Sequence, residues 1–132
     1  MIETVDEFIQ LASSDVDEER RRAALEDAPL DVWMNLVTHH PEFRFAVAHN
    51  KKIPDEILRL LARDPDWRVR QGVASKRRCP PDILAFLAAD KNESIASTVA
   101  GHPNTPPEAL LTLADHPWGA IREKVTRRTE GQ

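Results

Sequence analysis

An arginine recurs along the chain at intervals near one repeat length. A row of guanidinium groups at such spacing could bind phosphates or a carboxylate-rich partner, because guanidinium pairs with both through two parallel hydrogen bonds. Ala96 stands at the corresponding place in one interval, so the row is interrupted once. The arginines in the row are Arg21, Arg44, Arg70 and Arg122.

Further cations collect in short clusters after these arginines. Most acidic residues fall elsewhere, at predicted helix starts and turns, so the mild net charge of −4 hides a predicted segregation into one basic and one acidic edge. Cations at helix C-termini and anions at N-termini also match the helix dipole, and this is the favoured explanation. A phosphate-binding edge is the alternative. The clustered cations are Lys51, Lys52, Lys76, Arg77, Arg78, Arg127 and Arg128.

Two tryptophans, Trp67 and Trp118, lie in polar turns. An aromatic side chain there either covers the end of a core, which we favour, or anchors a partner. Trp33 follows a helical apolar pattern instead, and we expect it in the core.

Residues suited to catalysis or cofactor binding are sparse. Cys79 is the only cysteine, and no pair of the five histidines has the spacing of a metal site. Gly-rich phosphate loops and nucleophile motifs are absent from the sequence, so we expect no enzyme activity and no cofactor. No apolar run approaches the ~20 residues of a membrane span. The N-terminus lacks the features of a signal peptide, so we expect a cytoplasmic protein.

The chain repeats one short phrase, seen in IPDEILRLLARD, CPPDILAFLAAD and TPPEALLTLADH. Acidic anchors in these phrases are separated by 24, 25, 26 and 26 residues. Apolar residues follow each anchor at helical spacing, which predicts one amphipathic helix per repeat, here called the A helix. The anchors are Glu7, Asp31, Glu56, Asp82 and Glu108.

Each A helix should begin three residues before its anchor. The predicted N-caps are Thr4, Ala28, Ile53, Cys79 and Thr105. Prolines then occupy the first helical position in four repeats, where a missing N–H costs little. Thr4 with Glu7, and Thr105 with Glu108, should form capping boxes.

A shorter apolar pattern follows each A helix and predicts a second helix, the B helix, as in VRQGVA and IASTVA. Neither helix can bury its apolar face alone, so the pairs should stack. We therefore predict an all-α fold, a short right-handed α-solenoid of about five two-helix repeats of about 25 residues. A single domain should span 1–132, with repeats at about 4–27, 28–52, 53–78, 79–104 and 105–128.

The segments PDEILRLLARDPDWRVRQGVASKRR and NTPPEALLTLADHPWGAIREKVTRR resemble the leucine-rich repeat variant (LRV) family, which is related in style to HEAT and armadillo repeats. The resemblance implies an α-solenoid with a general role in macromolecular interaction and no catalytic chemistry. HEAT-like repeats pair a turn aspartate with a helix arginine. By that analogy Asp15 should pair with Arg21, and Asp64 with Arg70, which favours a structural arginine row over a ligand site.

We accordingly predict a non-enzymatic interaction module that holds another protein or a peptide segment. Nucleic-acid or phosphate binding by the basic edge is the alternative, and no membrane contact is expected. The candidate binding surface comprises Arg44, Arg70, Arg122, Lys51, Lys52, Lys76, Arg77, Arg78, Trp67 and Trp118.

Overall fold

The computed structural model describes residues 1–130, and every regular element within that span is helical. This confirms the predicted all-α class. The A helices are α1 (Val5–Ala12), α3 (Leu30–His39), α5 (Asp55–Leu61), α7 (Pro81–Leu87) and α9 (Pro107–Ala114). The B helices are α2 (Asp17–Leu25), α4 (Arg44–Ala48), α6 (Trp67–Ala74), α8 (Glu93–Gly101) and α10 (Gly119–Glu130), and a 3₁₀ turn at Pro41–Phe43 leads into α4.

The chain forms two compact units, Met1–Asp64 (unit 1) and Pro65–Gln132 (unit 2). In unit 1, α3 packs between α1 and α5, and α2 packs on α4. In unit 2, α8 packs between α6 and α10, and α7 packs on α9. Like helices therefore stack on like helices within each unit, which is consistent with a solenoid-forming helical repeat. The unit boundary falls inside the predicted third repeat. The repeat bounds, the single domain and the handedness therefore stay predictions.

The predicted apolar stripes form the cores. In α7, Leu84 and Leu87 are fully buried, and in α8 Ile95 and Val99 are fully buried. Each stripe repeats at three- to four-residue spacing, so one side of each helix faces its neighbours.

Trp33 is fully buried in unit 1, as predicted. Its ring meets Phe8 edge-on, with ring centroids 5.5 Å apart and planes at 78°. This is a favoured geometry for aromatic pairs. The indole Nε1 has no hydrogen-bond partner within the described residues. Burial of the large ring therefore offsets the cost of one buried N–H without an acceptor.

The predicted helix starts are displaced by one residue in four of the five A helices. Pro29, Pro54, Pro80 and Pro106 are themselves the N-caps, in extended conformation, and the helices begin immediately after them. A proline N-cap suits this position because its fixed φ and extended ψ match the conformation that a cap requires.

Neither predicted capping box forms in full. The Thr4 hydroxyl accepts the Glu7 N–H at 3.1 Å, as predicted, but the Glu7 carboxylate accepts from the N–H of Glu3 instead of Thr4. Thr105 is buried, and its hydroxyl donates to the carbonyl of Val99 at 2.6 Å. It therefore closes the end of the preceding B helix instead of starting the next A helix.

Leu84 and Leu110 occupy equivalent positions in successive A helices, but Leu84 is fully buried and Leu110 is half-buried. We expect Leu84→Ala to lower the free energy of unfolding by about 2–5 kcal/mol, because it leaves a cavity in a closed core. Leu110→Ala should cost less, since solvent already reaches that side chain. Chemical denaturation of both variants measures the difference, and a negligible loss at Leu84 would contradict the repeat register.

Candidate interaction surface

The recurrent arginine occupies the fourth position of the B segment. Arg70 is the fourth residue of α6, and Arg122 is the fourth residue of α10. Arg44 opens α4 immediately after the three-residue 3₁₀ turn, so it is also fourth in its segment. In α2 the fourth residue is Arg20, not the predicted Arg21.

Arg70 links two successive helix pairs, and we call such a side-chain link a joint. Its Nε donates to Asp90 Oδ2 at 2.8 Å and its Nη2 donates to Asp90 Oδ1 at 3.2 Å. A third bond runs from Nη1 to the Pro65 carbonyl at 3.2 Å. The two side chains are only 19% and 9% exposed, so this two-pronged pair is largely shielded from water.

Unit 1 contains an equivalent joint. Arg44 Nη1 lies 3.3 Å from Asp64 Oδ2, and Arg44 Nε donates to the Val37 carbonyl at 2.8 Å. In both units the carboxylate comes from the turn that follows the arginine by 20 residues. These pairs link successive repeats, a role that the six-residue spacing did not reveal.

The first repeat departs from the predicted pairing of Asp15 with Arg21. Both side chains are exposed, and neither forms an ion pair within residues 1–130. Arg20 makes the contacts instead, donating to the Ser14 carbonyl at 2.7 Å and to the Asp17 carboxylate. The prediction was wrong by one residue because α2 begins at Asp17, one residue earlier than a helix with Arg21 in its fourth position would.

Arg122 makes only the carbonyl contacts of its own turn. Its Nη1 donates to the His116 carbonyl at 2.7 Å and to the Pro117 carbonyl at 2.9 Å, and its side chain is exposed. Arg122 makes no ion pair with any described residue. Its guanidinium is held in place but lacks the carboxylate that Arg44 and Arg70 possess.

At the interrupted position both partners of the joint are replaced. Ala96 takes the place of the arginine and is fully buried, and His116 takes the place of the turn aspartate. His116 Nδ1 accepts the Trp118 N–H at 3.0 Å, just as Asp90 Oδ1 accepts the Asn92 N–H at 2.9 Å. His116 thus preserves the hydrogen bond of the turn, but neither the arginine nor the aspartate of the ion pair is present.

The loops after the B helices carry a second row of contacts that the sequence analysis missed. Asn50 is fully buried, and its amide donates to the carbonyls of Ala23 and Glu26 at 2.7 and 2.9 Å. His102 Nε2 lies 2.6 Å from the Lys76 carbonyl. In each case one repeat satisfies carbonyls at the end of the preceding B helix. A polar side chain at the same offset in each loop was the available signal.

The clustered cations share their loops with acidic residues. Lys51 and Lys52 are exposed and come shortly before α5, which begins with the exposed Asp55 and Glu56. The predicted segregation into a basic and an acidic edge stays a prediction. Arg77 and Arg78 are also exposed, in the loop before α7.

The two C-terminal arginines have local partners. Arg128 donates to the carbonyls of Ala100 and Pro103, at 3.3 and 3.2 Å, and also to the carbonyl of His102. Arg127 forms an exposed ion pair with Glu123. Arg128 therefore belongs to the same carbonyl-binding row as Asn50.

Trp67 and Trp118 are each 43% exposed, so neither is a buried cover over a core. Trp67 begins α6, and the Arg68 guanidinium lies 5.8 Å from its ring centroid. Trp118 directly precedes α10. Both side chains retain enough exposed ring for contact with another molecule.

Exposed and half-exposed polar side chains also link the three B helices of unit 2, α6, α8 and α10. Gln71 Nε2 donates to Thr98 Oγ1 at 2.8 Å, and Lys124 Nζ donates to Ser97 Oγ at 2.7 Å. These hydrogen bonds between neighbouring helices hold the polar side chains in place and leave them exposed at the surface. We define the B-helix face of unit 2 by Trp67, Arg68, Gln71, Ser94, Ser97 and Lys124.

Other features offer little for chemistry. A shallow depression of about 450 Å³ lies along one helix, α3, lined by Leu30, Asp31, Met34, Asn35, Thr38 and His39. Within residues 1–130 no three His, Cys, Asp or Glu side chains are grouped as a metal site requires. Among the described helices, none combines the length and apolarity needed to cross a membrane.

One ion pair in unit 1 shifts the pKa values of both its members. A hydrogen bond from Arg22 lowers the pKa of Glu26, and the same bond raises the pKa of Arg22. Glu26 also lies 3.4 Å from the terminal amino group of Met1. This network fastens the chain start to α2 and has no bearing on the B-helix face of unit 2.

Comparison with known families agrees with the repeat assignment. The leucine rich repeat variant model matches residues 41–66, which include α4 and α5, and residues 95–117, which include most of α8 and all of α9. These matches are consistent with a HEAT-like helical repeat, and repeats of this kind are generally non-catalytic scaffolds for protein interaction. Neither the curated proteins nor the solved structures provide a match.

We expect Arg70→Ala to lower the free energy of unfolding by about 1.5–3 kcal/mol, the range for hydrogen bonds to charged groups. The substitution removes the guanidinium from a carboxylate, that of Asp90, which is largely shielded from water. Arg122→Ala is the matched control and should cost only about 0.5–1 kcal/mol, since its guanidinium bonds neutral carbonyls and is exposed to water, which screens the interaction. Urea denaturation checks both, and a double-mutant cycle with Asp90→Ala isolates the pair. Equal losses at Arg70 and Arg122 would refute the structural joint.

Proposed function

We propose that this protein is a non-enzymatic interaction module, and that the B-helix face of unit 2 together with Trp118 binds a peptide segment of another protein. The observation that carries this proposal is the exposure of Trp67 and Trp118 beside polar side chains that internal hydrogen bonds hold in place. Aromatic side chains with a polar surround are typical of binding hot spots.

The positions of the arginines support the same conclusion. Arg44 and Arg70 are largely shielded and engage carboxylates and carbonyls. A polyanion would have to compete with those partners. The remaining cations are interspersed with carboxylates, which weakens the electrostatic attraction on which nucleic-acid binding depends.

Nucleic-acid binding stands as a second candidate because Arg77 and Arg78 are consecutive and exposed. Phosphate contacts of this kind would give binding that falls steeply with added salt, whereas aromatic contacts with a peptide would respond far less. The two functions are therefore separable in one set of measurements.

The test begins with peptides selected against the full chain from a random peptide display library. Fluorescence anisotropy at physiological salt should show that Trp67→Ala weakens the best peptide about 30-fold, as for truncation of a hot-spot aromatic worth about 2 kcal/mol. Leu60→Ala is the matched control, because Leu60 is similarly exposed but lies in unit 1. It should leave the affinity unchanged.

A labelled single-stranded oligonucleotide provides the opposing measurement. We expect weak binding that disappears between about 50 and 200 mM salt. Tight oligonucleotide binding at physiological salt, lost on Arg77→Ala with Arg78→Ala and insensitive to Trp67→Ala, would replace the peptide-binding proposal with the nucleic-acid one.

A further inference from the structure

The last helix pair, α9 and α10, exposes positions that the preceding pair buries. Leu84 and Ala88 are 0% and 3% exposed. Of their equivalents in the last pair, Leu110 is half-buried and Ala114 is exposed. Leu111, adjacent to them, is 72% exposed. We call this surface the terminal face and define it by Leu110, Leu111, Ala114, Arg122 and Thr126.

The packing within unit 2 shows what normally covers these positions. Helix α9 packs on α7, and α10 packs on α8, so each pair is covered by the pair that follows it. The same stacking brings Asp90 onto Arg70. The terminal face thus has the apolar positions and the arginine of a repeat joint, and no described residue supplies its carboxylate.

The start of the chain differs from the terminal face. Ile2 and Phe8 are fully buried, and the Ile2 N–H donates to the Asp27 carbonyl at 2.9 Å. The first turn carries Ser14 where later turns carry Asp64 or Asp90. A second copy meeting the terminal face with its first turn would therefore place a serine at the position of the carboxylate, with Asp15 one residue away.

We propose that the terminal face docks a helical segment of another protein that presents a carboxylate to Arg122. The two carbonyl bonds already orient the Arg122 guanidinium, which reduces the entropy lost on pairing. Leu110 and Leu111 supply the apolar contact. The proposal rests on the proposed role in protein binding, and it assigns that role a surface separate from the B-helix face of unit 2.

The first test uses a synthetic peptide with the sequence of residues 77–102, which carries Asp90 in its turn. Titrated into the ¹⁵N-labelled full chain, it should shift NMR signals of α9, α10 and the Arg122 Nε. The peptide variant Asp90→Asn and the protein variant Arg122→Gln should each weaken binding about tenfold, as expected for loss of a charge-assisted pair. Shifts confined to other helices would overturn the proposal.

A free peptide must fold as it binds, so a fused version removes that obstacle. Residues 77–102 are repeated directly after Arg128 in the full chain. The added segment should gain amide hydrogen-exchange protection and raise the thermal midpoint, and Arg122→Gln should remove most of that gain. An unprotected segment, or a gain that Arg122→Gln leaves intact, would contradict a carboxylate-accepting face.

Sedimentation equilibrium of the unmodified chain tests the other occupant. We expect a monomer, and a dimer dissociated by Arg122→Glu would show that a second copy occupies the terminal face instead.

The variant Trp67→Ala distinguishes this inference from the proposed function. It should weaken binding of the library-selected peptides about 30-fold while leaving the fused segment protected.

Discussion

The structure depends on the inability of any one helix pair to bury its own apolar surface. Helices α4, α5 and α7 have only 5, 7 and 7 residues, well below the ~12–15 residues at which isolated helices become stable in water. Stability must therefore come from stacking, and each joint between pairs determines whether its neighbours form. This is why polar side chains concentrate at the joints instead of at a single cleft.

Several charged and polar side chains form these joints. Arg44 and Arg70 reach forward to a carboxylate of the next turn, while Asn50 and Arg128 reach back to carbonyls of the preceding loop. The bonds to carbonyls satisfy groups that helix termini leave open. Three cations that could be read as ligand residues in the sequence, Arg44, Arg70 and Arg128, thus hold successive repeats together.

The repeat period, the apolar stripes and the burial of Trp33 could be predicted because they depend on local spacing. The joints could not, because a partner 20 residues away is recognised only after the pairs are stacked. The repeat spacing placed the first arginine at Arg21, whereas the start of α2 at Asp17 makes Arg20 the equivalent residue.

The joint before the last helix pair uses different chemistry, and this links the fold to its surfaces. With Ala96 and His116 in place of arginine and aspartate, no ion pair can form there. Lys124 and Arg128 instead bond serine and carbonyl oxygens of the preceding pair. Neutral oxygens can hold a cation without a carboxylate, so the last pair is attached while its own arginine stays exposed. Trp118 and Arg122 belong to this last pair and are both exposed, so the pair is attached to α8 without using either side chain.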